Sequence, residues 1–254
     1  MIGYVYFVII VLVSIIGAVA GLGGGVIMRP IFDAIGYHDV LNIGFLGSTA
    51  IVTMAVVSTL RKMKSGFKAD FKIVLLISAG AVFGGVLGNM SLEALVRITT
   101  ASQQIQSALT VIVLTFCIFA TYLKPKFKLQ NGFLYVFLGV ILGAVATFLG
   151  IGGGPINVPI LIIFFSMPIK DATTYSIMII FFSHVSRLVA MGMGDADLDY
   201  TILPFIISAA AVGGLIGGKL SNVLSEKSVR KVFRFVILAV IVLNVVNILF
   251  LLGE

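Results

Sequence analysis

Apolar runs alternate with short polar segments along the whole chain, and charged residues are few within these runs. Eight runs are close to the ~20 residues that a helix needs to cross the hydrocarbon core of a bilayer. They cover residues 2–20, 39–60, 70–89, 102–123, 132–149, 171–191, 200–220 and 231–252, and two shorter runs cover 26–35 and 155–166. A β-barrel would need strands of alternating polarity, whereas these runs are continuously apolar. The pattern predicts an all-α integral membrane protein with eight long and two short segments.

Composition agrees with this class, because 60% of the residues are hydrophobic and only 11% are charged. The net charge of +7 comes from lysines and arginines in short loops, where positive charge fixes membrane orientation, so we expect no nucleic-acid partner. The one cysteine, Cys117, lies in an apolar run and is interpreted as a packing residue. We expect no metal site and no cofactor.

The chain repeats itself at a spacing of 129 residues. This shift places the glycine-rich stretch 21–25 on 150–154, Pro30 on Pro159, and Asp70 on Asp199. Two homologous repeats are therefore predicted, residues 1–125 and 126–254. Internal repeats of this kind are typical of membrane transporters.

Loop charge predicts that the two repeats have opposite orientations. The basic loops 61–72, 124–128 and 219–234 are assigned to the cytoplasm. The repeat-mate of the first of these loops, 190–199, contains Asp195, Asp197 and Asp199 and no cation, so it is assigned to the outside. Inversion requires that each first run and its short partner form a hairpin that returns to its starting side. Both termini are then expected to be extracellular.

Each predicted hairpin turns at a run of three glycines, and a helix is expected to start directly after it. Such a run allows backbone N–H groups to converge on an anion, and the positive end of the helix dipole adds to this. Pro155 suits the first position of the second short helix. The predicted substrate-binding positions in the loops are Gly23, Gly24, Gly25, Gly152, Gly153, Gly154 and Asn157. In the second loop the backbone donors are expected from Gly153, Gly154, Ile156 and Asn157, with the Asn157 side chain nearby.

Other glycines have a different interpretation. Gly84 with Gly88, and Gly213 with Gly217, form G-x-x-x-G faces inside continuous runs, which favours close helix packing. Residues 213–220, GGLIGGKL, resemble a phosphate loop but end in leucine rather than serine or threonine, so no nucleotide site is predicted.

Four ionisable residues lie within apolar runs, where such residues are functional candidates. Arg29 is expected to bind substrate from above the first loop, or else to pair with Asp33 four residues on or to extend to the membrane interface. His184 and Arg187 share a helix face, and together with Asp33 they are candidates for ion coupling. A hydrogen-bonded packing histidine is the alternative for His184.

Several hydroxyl residues in the runs 39–60 and 171–191 offer neutral donors. Ser48, Thr49, Thr173 and Thr174 are assigned to substrate binding, with Thr53 and Ser176 nearby in sequence. Hydroxyls of this kind also bond back to their own helix or bridge to another one.

The chain resembles the TauE/SafE family of sulfite and organosulfonate permeases. The resemblance rests on GAVAGLGGGVIMRPIF (17–32), GAVATFLGIGGGPINVPIL (143–161) and the runs GGVLG and GGLIGG. It implies secondary transport of a small oxyanion such as sulfite, thiosulfate, sulfoacetate or another organosulfonate or carboxylate across a cytoplasmic membrane. Thiosulfate-importing relatives use several pore cysteines, which this chain lacks.

The leading hypothesis is thus a secondary transporter of a small anion that works by alternating access around the two glycine loops. Its expected partners are the bilayer, the anion and a coupling ion, proton or sodium, and the protein is expected to be a monomer or homodimer. A passive anion channel is an alternative. A second alternative is an intramembrane hydrolase that uses Ser48 or Ser183 with His184.

Overall fold

The computed structural model describes residues 2–99, 102–123, 131–193 and 198–253. These residues form ten helices and no strand. The helices are α1 (Ile2–Ala20), α2 (Gly25–Ile35), α3 (Val40–Lys64), α4 (Phe71–Ile98), α5 (Ser102–Ala120), α6 (Gly132–Leu149), α7 (Gly154–Phe165), α8 (Ile169–Gly192), α9 (Leu203–Val223) and α10 (Glu226–Gly253). Eight are long and two are short, as the apolar runs predict.

Over the described residues, α1, α3, α4, α6, α8 and α9 are long and apolar enough to cross a membrane. Together with the all-helical architecture, this agrees with an integral membrane protein. α3 and α4 continue beyond their apolar runs. In α4 the extra turns include Ser91, Glu93 and Arg97, and the Asn89 amide donates to the Glu93 carboxylate one turn later at 2.7 Å. Such i,i+4 pairs allow a helix to outlast its hydrophobic stretch.

Each short helix folds back on the long helix before it, as the hairpin prediction required. Phe32 of α2 stacks on Tyr6 of α1 with ring centroids 4.2 Å apart. The matching contact of α7 and α6 joins Phe165 to Tyr135 at 5.1 Å. Since Tyr6 and Tyr135 are 129 residues apart, repeat-related tyrosines close both hairpins. At ~1.5 Å per residue, α2 and α7 are about half the thickness of a ~30 Å hydrocarbon core.

Glycines set the two closest helix pairs, α4 with α6 and α1 with α9. A side chain at Gly84 would overlap the carbonyl oxygen of Val140, and one at Gly88 would overlap that of Ala144. On α9, a Cβ at Gly213 or Gly217 would lie within 2.8 Å of α1. The G-x-x-x-G packing prediction is confirmed. In both pairs residue numbers rise together, so the paired helices run parallel.

α3 and α8, which are repeat-related, pack against each other in opposite directions. Arg187 near the end of α8 contacts Gly44 near the start of α3, and Lys62 at the end of α3 bonds to Thr174 near the start of α8. α3 begins at the end of the bundle that carries Asp199, and α8 begins at the end that carries Asp70. We refer to these as the Asp199 end and the Asp70 end.

Candidate functional site

The glycines of the two loops have similar φ values. In the first loop Gly21, Gly23 and Gly24 have φ values of +74°, +74° and +79°, and the repeat-mates Gly150, Gly152 and Gly153 have +69°, +67° and +70°. Side chains other than glycine rarely adopt these values. The glycines are therefore required by the turn that joins each pair of helices in a hairpin. The following helix begins at Gly25 in one repeat and at Gly154 in the other.

The loops meet each other inside the bundle. Gly154 lies so close to Leu22 that a Cβ on Gly154 would be 2.6 Å from the Leu22 backbone. The first loop also lies against α8, because the Ser176 hydroxyl donates to the Gly21 carbonyl at 2.6 Å. Gly23 packs on Ile180 and Ile51, which are near the middle of α8 and α3. The loop contact is therefore halfway along the two antiparallel central helices.

Backbone donors are distributed unequally between the loops. The N–H groups of Gly23, Gly24, Gly25 and Val26 have no acceptor among the described residues. The first helix has no side-chain cap at Gly24, so nothing replaces those acceptors. Helix N-termini of this kind bind anions through their N–H groups and dipole.

In the second loop, three of the four predicted donors already have a backbone acceptor. The N–H of Gly154 donates to the Gly152 carbonyl, and those of Ile156 and Asn157 donate to the Gly153 carbonyl. Tight glycine turns close on themselves in this way. Only Gly152 and Gly153 keep N–H groups without an acceptor among the described residues, and Pro155 has none to offer. The Asn157 side chain is buried and lies beside Gly153, as predicted.

The Arg29 guanidinium lies beside the carboxylate of Asp33. Its Nε is 3.8 Å from Asp33 Oδ2, one turn farther from the loop, and its side chain is about half exposed. It is also a charged neighbour of Arg187. The salt bridge considered as an alternative for Arg29 is therefore present. The structure gathers two arginines and one carboxylate between α2 and α8, which leaves this surface positively charged.

Most of the predicted hydroxyl donors bond to their own helix. Thr49 donates to the Phe45 carbonyl, and Thr173 and Thr174 both donate to the Lys170 carbonyl. Thr53 in the same way donates to Thr49. Those threonines therefore have no hydroxyl hydrogen left to donate to a substrate in this arrangement. This agrees with the alternative given in the sequence analysis, in which the hydroxyls bond back to their own helix.

Ser48 is different, because it bridges two helices. Its Oγ is 3.1 Å from Nδ1 of His184, close enough for a nucleophile and a base. Among the described residues, no carboxylate lies within bonding distance to orient the ring. Ser183, the other candidate, donates to the Ile179 carbonyl. The arrangement fits a histidine that is hydrogen-bonded for packing better than it fits a catalytic pair.

Lys62 is a candidate that the sequence interpretation missed, because it was counted among the cations that orient the chain. It is only 3% exposed, and its Nζ donates to Thr174 Oγ1 at 2.5 Å. No carboxylate of the described residues lies within 4.0 Å of it. Asp171 acts on Lys62 electrostatically from farther away. Because a buried cation without a close anion is costly, Lys62 is a candidate for contact with an anion.

His38 and Asp199 form a second group that the sequence interpretation missed. The Tyr6 hydroxyl is 3.0 Å from His38 Nδ1, and His38 Nε2 is 3.0 Å from Asp199 Oδ2. Hydrogen bonds from the Thr201 hydroxyl and then from His38 hold the pKa of Asp199 below its usual range. At the 129-residue shift, Tyr6 aligns with Tyr135 and Asp199 aligns with Asp70. This recurrence of polar residues is the sequence signal that could have identified the group.

Asp195, Asp197 and the loop 124–128 lie outside the described residues.

Cavities are present at both ends of the bundle. The larger one, about 430 Å³, is at the Asp70 end and is lined by Phe67, Lys68, Asp70, Ile73, Tyr135, Phe165, Ser166, Met167, Pro168, Asp171 and Tyr175. A cavity of about 400 Å³ at the Asp199 end is lined by Asn42, Leu198, Asp199, Tyr200 and Thr201. The cavity at the Asp70 end includes Tyr135 of α6 and Phe165 of α7 in its lining, and the cavity at the Asp199 end includes Asp199.

Comparison with known proteins agrees with this architecture. The family model described as Sulfite exporter TauE/SafE matches residues 6–243. The chain is also similar to the probable membrane transporter protein YunE of Bacillus subtilis (strain 168), with 25% identity over 266 residues that cover 92% of this chain and 95% of that protein. No solved structure matches significantly. Both matches indicate a multi-pass membrane transporter.

Proposed function

Since the chain belongs to the sulfite exporter TauE/SafE family, we propose that it is a secondary transporter of a small oxyanion such as sulfite, an organosulfonate or a carboxylate. The observation that carries the proposal is the row of four N–H groups from Gly23 to Val26 without an acceptor among the described residues, next to the contact between the two loops. A dianion or monoanion of a few atoms matches such a row in charge and in size. A proton or sodium ion is the coupling ion in this proposal.

The asymmetry between the loops supports our assignment of the anion to the first one. Val26 stands where the second repeat has Pro155, so the first helix has one more N–H at its start. The second loop uses Gly154 N–H for its own turn. In our proposal the second loop closes the site from the opposite side through Gly154 and the Asn157 side chain.

Alternating access follows from an inverted arrangement of the two repeats, 1–125 and 126–254. Support comes from α3 and α8, which occupy the same position in each repeat and run antiparallel. In addition, α6 is the repeat-mate of α1, and α9 is the repeat-mate of α4. The pair of α4 with α6 is therefore equivalent to the pair of α9 with α1 when the two repeats are exchanged. We assign the Asp70 end, which carries the basic loop 61–72, to the cytoplasm of a cell membrane, with both termini outside.

Lys62 lies on the route between the loops and the Asp70 end. Thr173 touches Gly21 of the first loop, and its neighbour Thr174 accepts the hydrogen bond from Lys62. In our proposal, an anion that leaves the loop toward this end meets a buried lysine that has no carboxylate of the described residues within 4.0 Å. We therefore assign Lys62 to stabilising the anion in transit.

Flux measurement tests the proposal. Purified protein in liposomes is given imposed proton, sodium and anion gradients, and uptake of sulfite, sulfoacetate, taurine and acetate is measured over a range of concentrations. We expect saturable uptake of at least one oxyanion that responds to a gradient. Flux that rises linearly with concentration and ignores ion gradients would favour the anion channel, and no flux of any of these compounds would overturn the proposal.

A further inference from the structure

The two central helices α3 and α8 meet in a series of contacts that leads from the Asp199 end to the first glycine loop. The Arg187 guanidinium lies on Gly44, since a Cβ at Gly44 would be 2.6 Å from Arg187 Nη2. About one turn deeper, the Ser48 hydroxyl is 3.1 Å from His184 Nδ1. One turn farther still, Ile180 contacts the first loop. Since residues 180 and 187 are seven positions apart, Arg187 is about 10 Å along the helix axis from this contact.

The guanidinium of Arg187 is not engaged by other side chains. Among the described residues it has no hydrogen bond and no carboxylate within 4.0 Å. Arg187 is exposed, and it lies within two turns of the end of α8 at Gly192. Its charged neighbour Arg29 is beside Asp33. A guanidinium presents its N–H groups as a planar fork that fits two oxygens of one oxyanion. Arg187 therefore has both a charge and a set of donors to offer to an anion.

A second cation occupies a similar place on the other side of the loops. Lys62, near the end of α3, lies against Thr174 near the start of α8. Arg187, near the end of α8, lies in the same way against Gly44 near the start of α3. The repeat-mate of Arg187 is Ser58, which is one turn before Lys62. Each repeat therefore supplies one cation toward the end of its central helix, and the contact between the glycine loops lies between the two cations.

We propose that Arg187, positioned over Gly44, forms an anion-binding site on the Asp199 side of the glycine loops that binds a small oxyanion such as a sulfonate. The inference rests on the proposed transport function and adds the site that holds the anion on this side, as Lys62 is assigned to do on the Asp70 side. Two oxygens of the anion accept from the guanidinium fork, and the positive charge of Arg29 adds to the attraction.

Gly44 provides a way to move the guanidinium without removing it. A methyl group at Gly44 would overlap Nη2 of Arg187, which is the mobile end of a long side chain, so the arginine is displaced and the helices keep their packing. Gly44 has no positive φ, and alanine favours a helix more than glycine does. Gly47 is the matched control, because it also has no positive φ and a Cβ there would meet only Met28 Sδ, at 3.9 Å.

Arginine modification that is measured residue by residue tests this site in the full-length protein. The protein in a neutral detergent is treated with phenylglyoxal, and the modification rate of Arg187 is followed by mass spectrometry of its peptides. Arg97, an exposed arginine near the end of α4, is the internal reference. The probe is methanesulfonate, compared with chloride at equal ionic strength, because sulfite would itself react with phenylglyoxal.

We expect about 100 mM methanesulfonate to slow the modification of Arg187 relative to Arg97 roughly three- to tenfold, as occupancy of a millimolar site requires. Gly47→Ala should keep this protection, and Gly44→Ala should lose it. Equal rates in methanesulfonate and chloride, or equal protection in the two variants, would overturn the proposal. Protection by added phosphatidylglycerol but not by methanesulfonate would also overturn it, since Arg187 would then bind a lipid phosphate.

This measurement is independent of flux. If methanesulfonate protects Arg187 but liposomes show no oxyanion flux, the Arg187 site stands and the proposed transport function falls. If flux is saturable but Arg187 is not protected, the transport function stands and the Arg187 site falls.

Discussion

A methyl group at Gly154 should separate the two glycine loops. A Cβ at this position would be 2.6 Å from both Cα and O of Leu22, which are backbone atoms that cannot turn aside. Carbon atoms in contact prefer ~3.5–4.0 Å, so the loops must part by about 1 Å. Overpacking of this kind costs about 1–3 kcal/mol. Since Gly154 has no positive φ, the contact with Leu22 is the whole of the perturbation.

The expected result of Gly154→Ala is a large loss of transport in a folded protein. A cost of ~1–3 kcal/mol corresponds to a factor of about 5–150 in the equilibrium between arrangements with and without loop contact. The assay is the initial rate of sulfite uptake into proteoliposomes as a function of concentration, normalised to the amount of monodisperse protein. We expect the maximal rate to fall within that range.

Two other glycines provide matched controls for this substitution. Gly192, near the end of α8, has no neighbour within 4 Å of a Cβ and no positive φ, so Gly192→Ala should transport as the wild type does. Gly152 also has no neighbour within 4 Å, but its φ of +67° strains an alanine by about 1–2 kcal/mol without pushing the loops apart. Wild-type uptake by a well-folded Gly154→Ala protein would refute the reasoning that the loop contact is part of the transport path.

Further predictions concern charge and packing. Lys62→Gln removes the buried cation while keeping a donor for Thr174, and we expect sulfite uptake to fall about tenfold, the effect of ~1.4 kcal/mol. The melting temperature, followed by light scattering, should be no lower than that of wild type, because the cation is costly to bury; unchanged uptake would contradict the role of Lys62. Arg29→Ala should raise the half-saturation concentration less than about fivefold, because an exposed ion pair contributes little; a complete loss of uptake would place the anion at Arg29 instead. The lowered pKa of Asp199 contributes stability that is present above the unfolded value near ~3.9 and lost as pH falls through the folded value. The melting temperature of wild type should therefore decrease more than that of Asp199→Asn below about pH 4, and parallel melting curves would contradict this. Gly84→Ala should prevent stable folding, seen as aggregation on size-exclusion chromatography, because its methyl group meets the Val140 carbonyl.

The helices and the hairpins could be predicted from sequence because they depend on local pattern. Apolar runs fix where helices form, and three glycines in succession leave few alternatives to a turn. The G-x-x-x-G faces also predict their own packing, since small residues at i and i+4 permit close approach. The 129-residue repeat then indicates that both hairpins are alike, as the matching φ values of Gly23 and Gly152 illustrate.

The side-chain partners could not be predicted, because they depend on which helices become neighbours. His38 meets Asp199 across 161 positions, and Lys62 meets Thr174 across 112. Lys62 also looks in sequence like any loop lysine, and its burial follows only from the extension of α3 beyond its apolar run. Helix periodicity alone allows the Arg29 side chain to extend toward the loop or toward Asp33, and the structure has it beside Asp33.

A counterflow experiment tests the central claim, alternating access around the glycine loops, most directly. Liposomes that contain the protein are loaded with unlabelled sulfite and diluted into a trace of radiolabelled sulfite, with no ion gradient present. A transporter that alternates around a single site at the glycine loops predicts a transient accumulation of label above the outside concentration, and this accumulation should be lost in Gly154→Ala and kept in Gly192→Ala. Equilibration of the label without any overshoot in the wild-type protein would contradict the account.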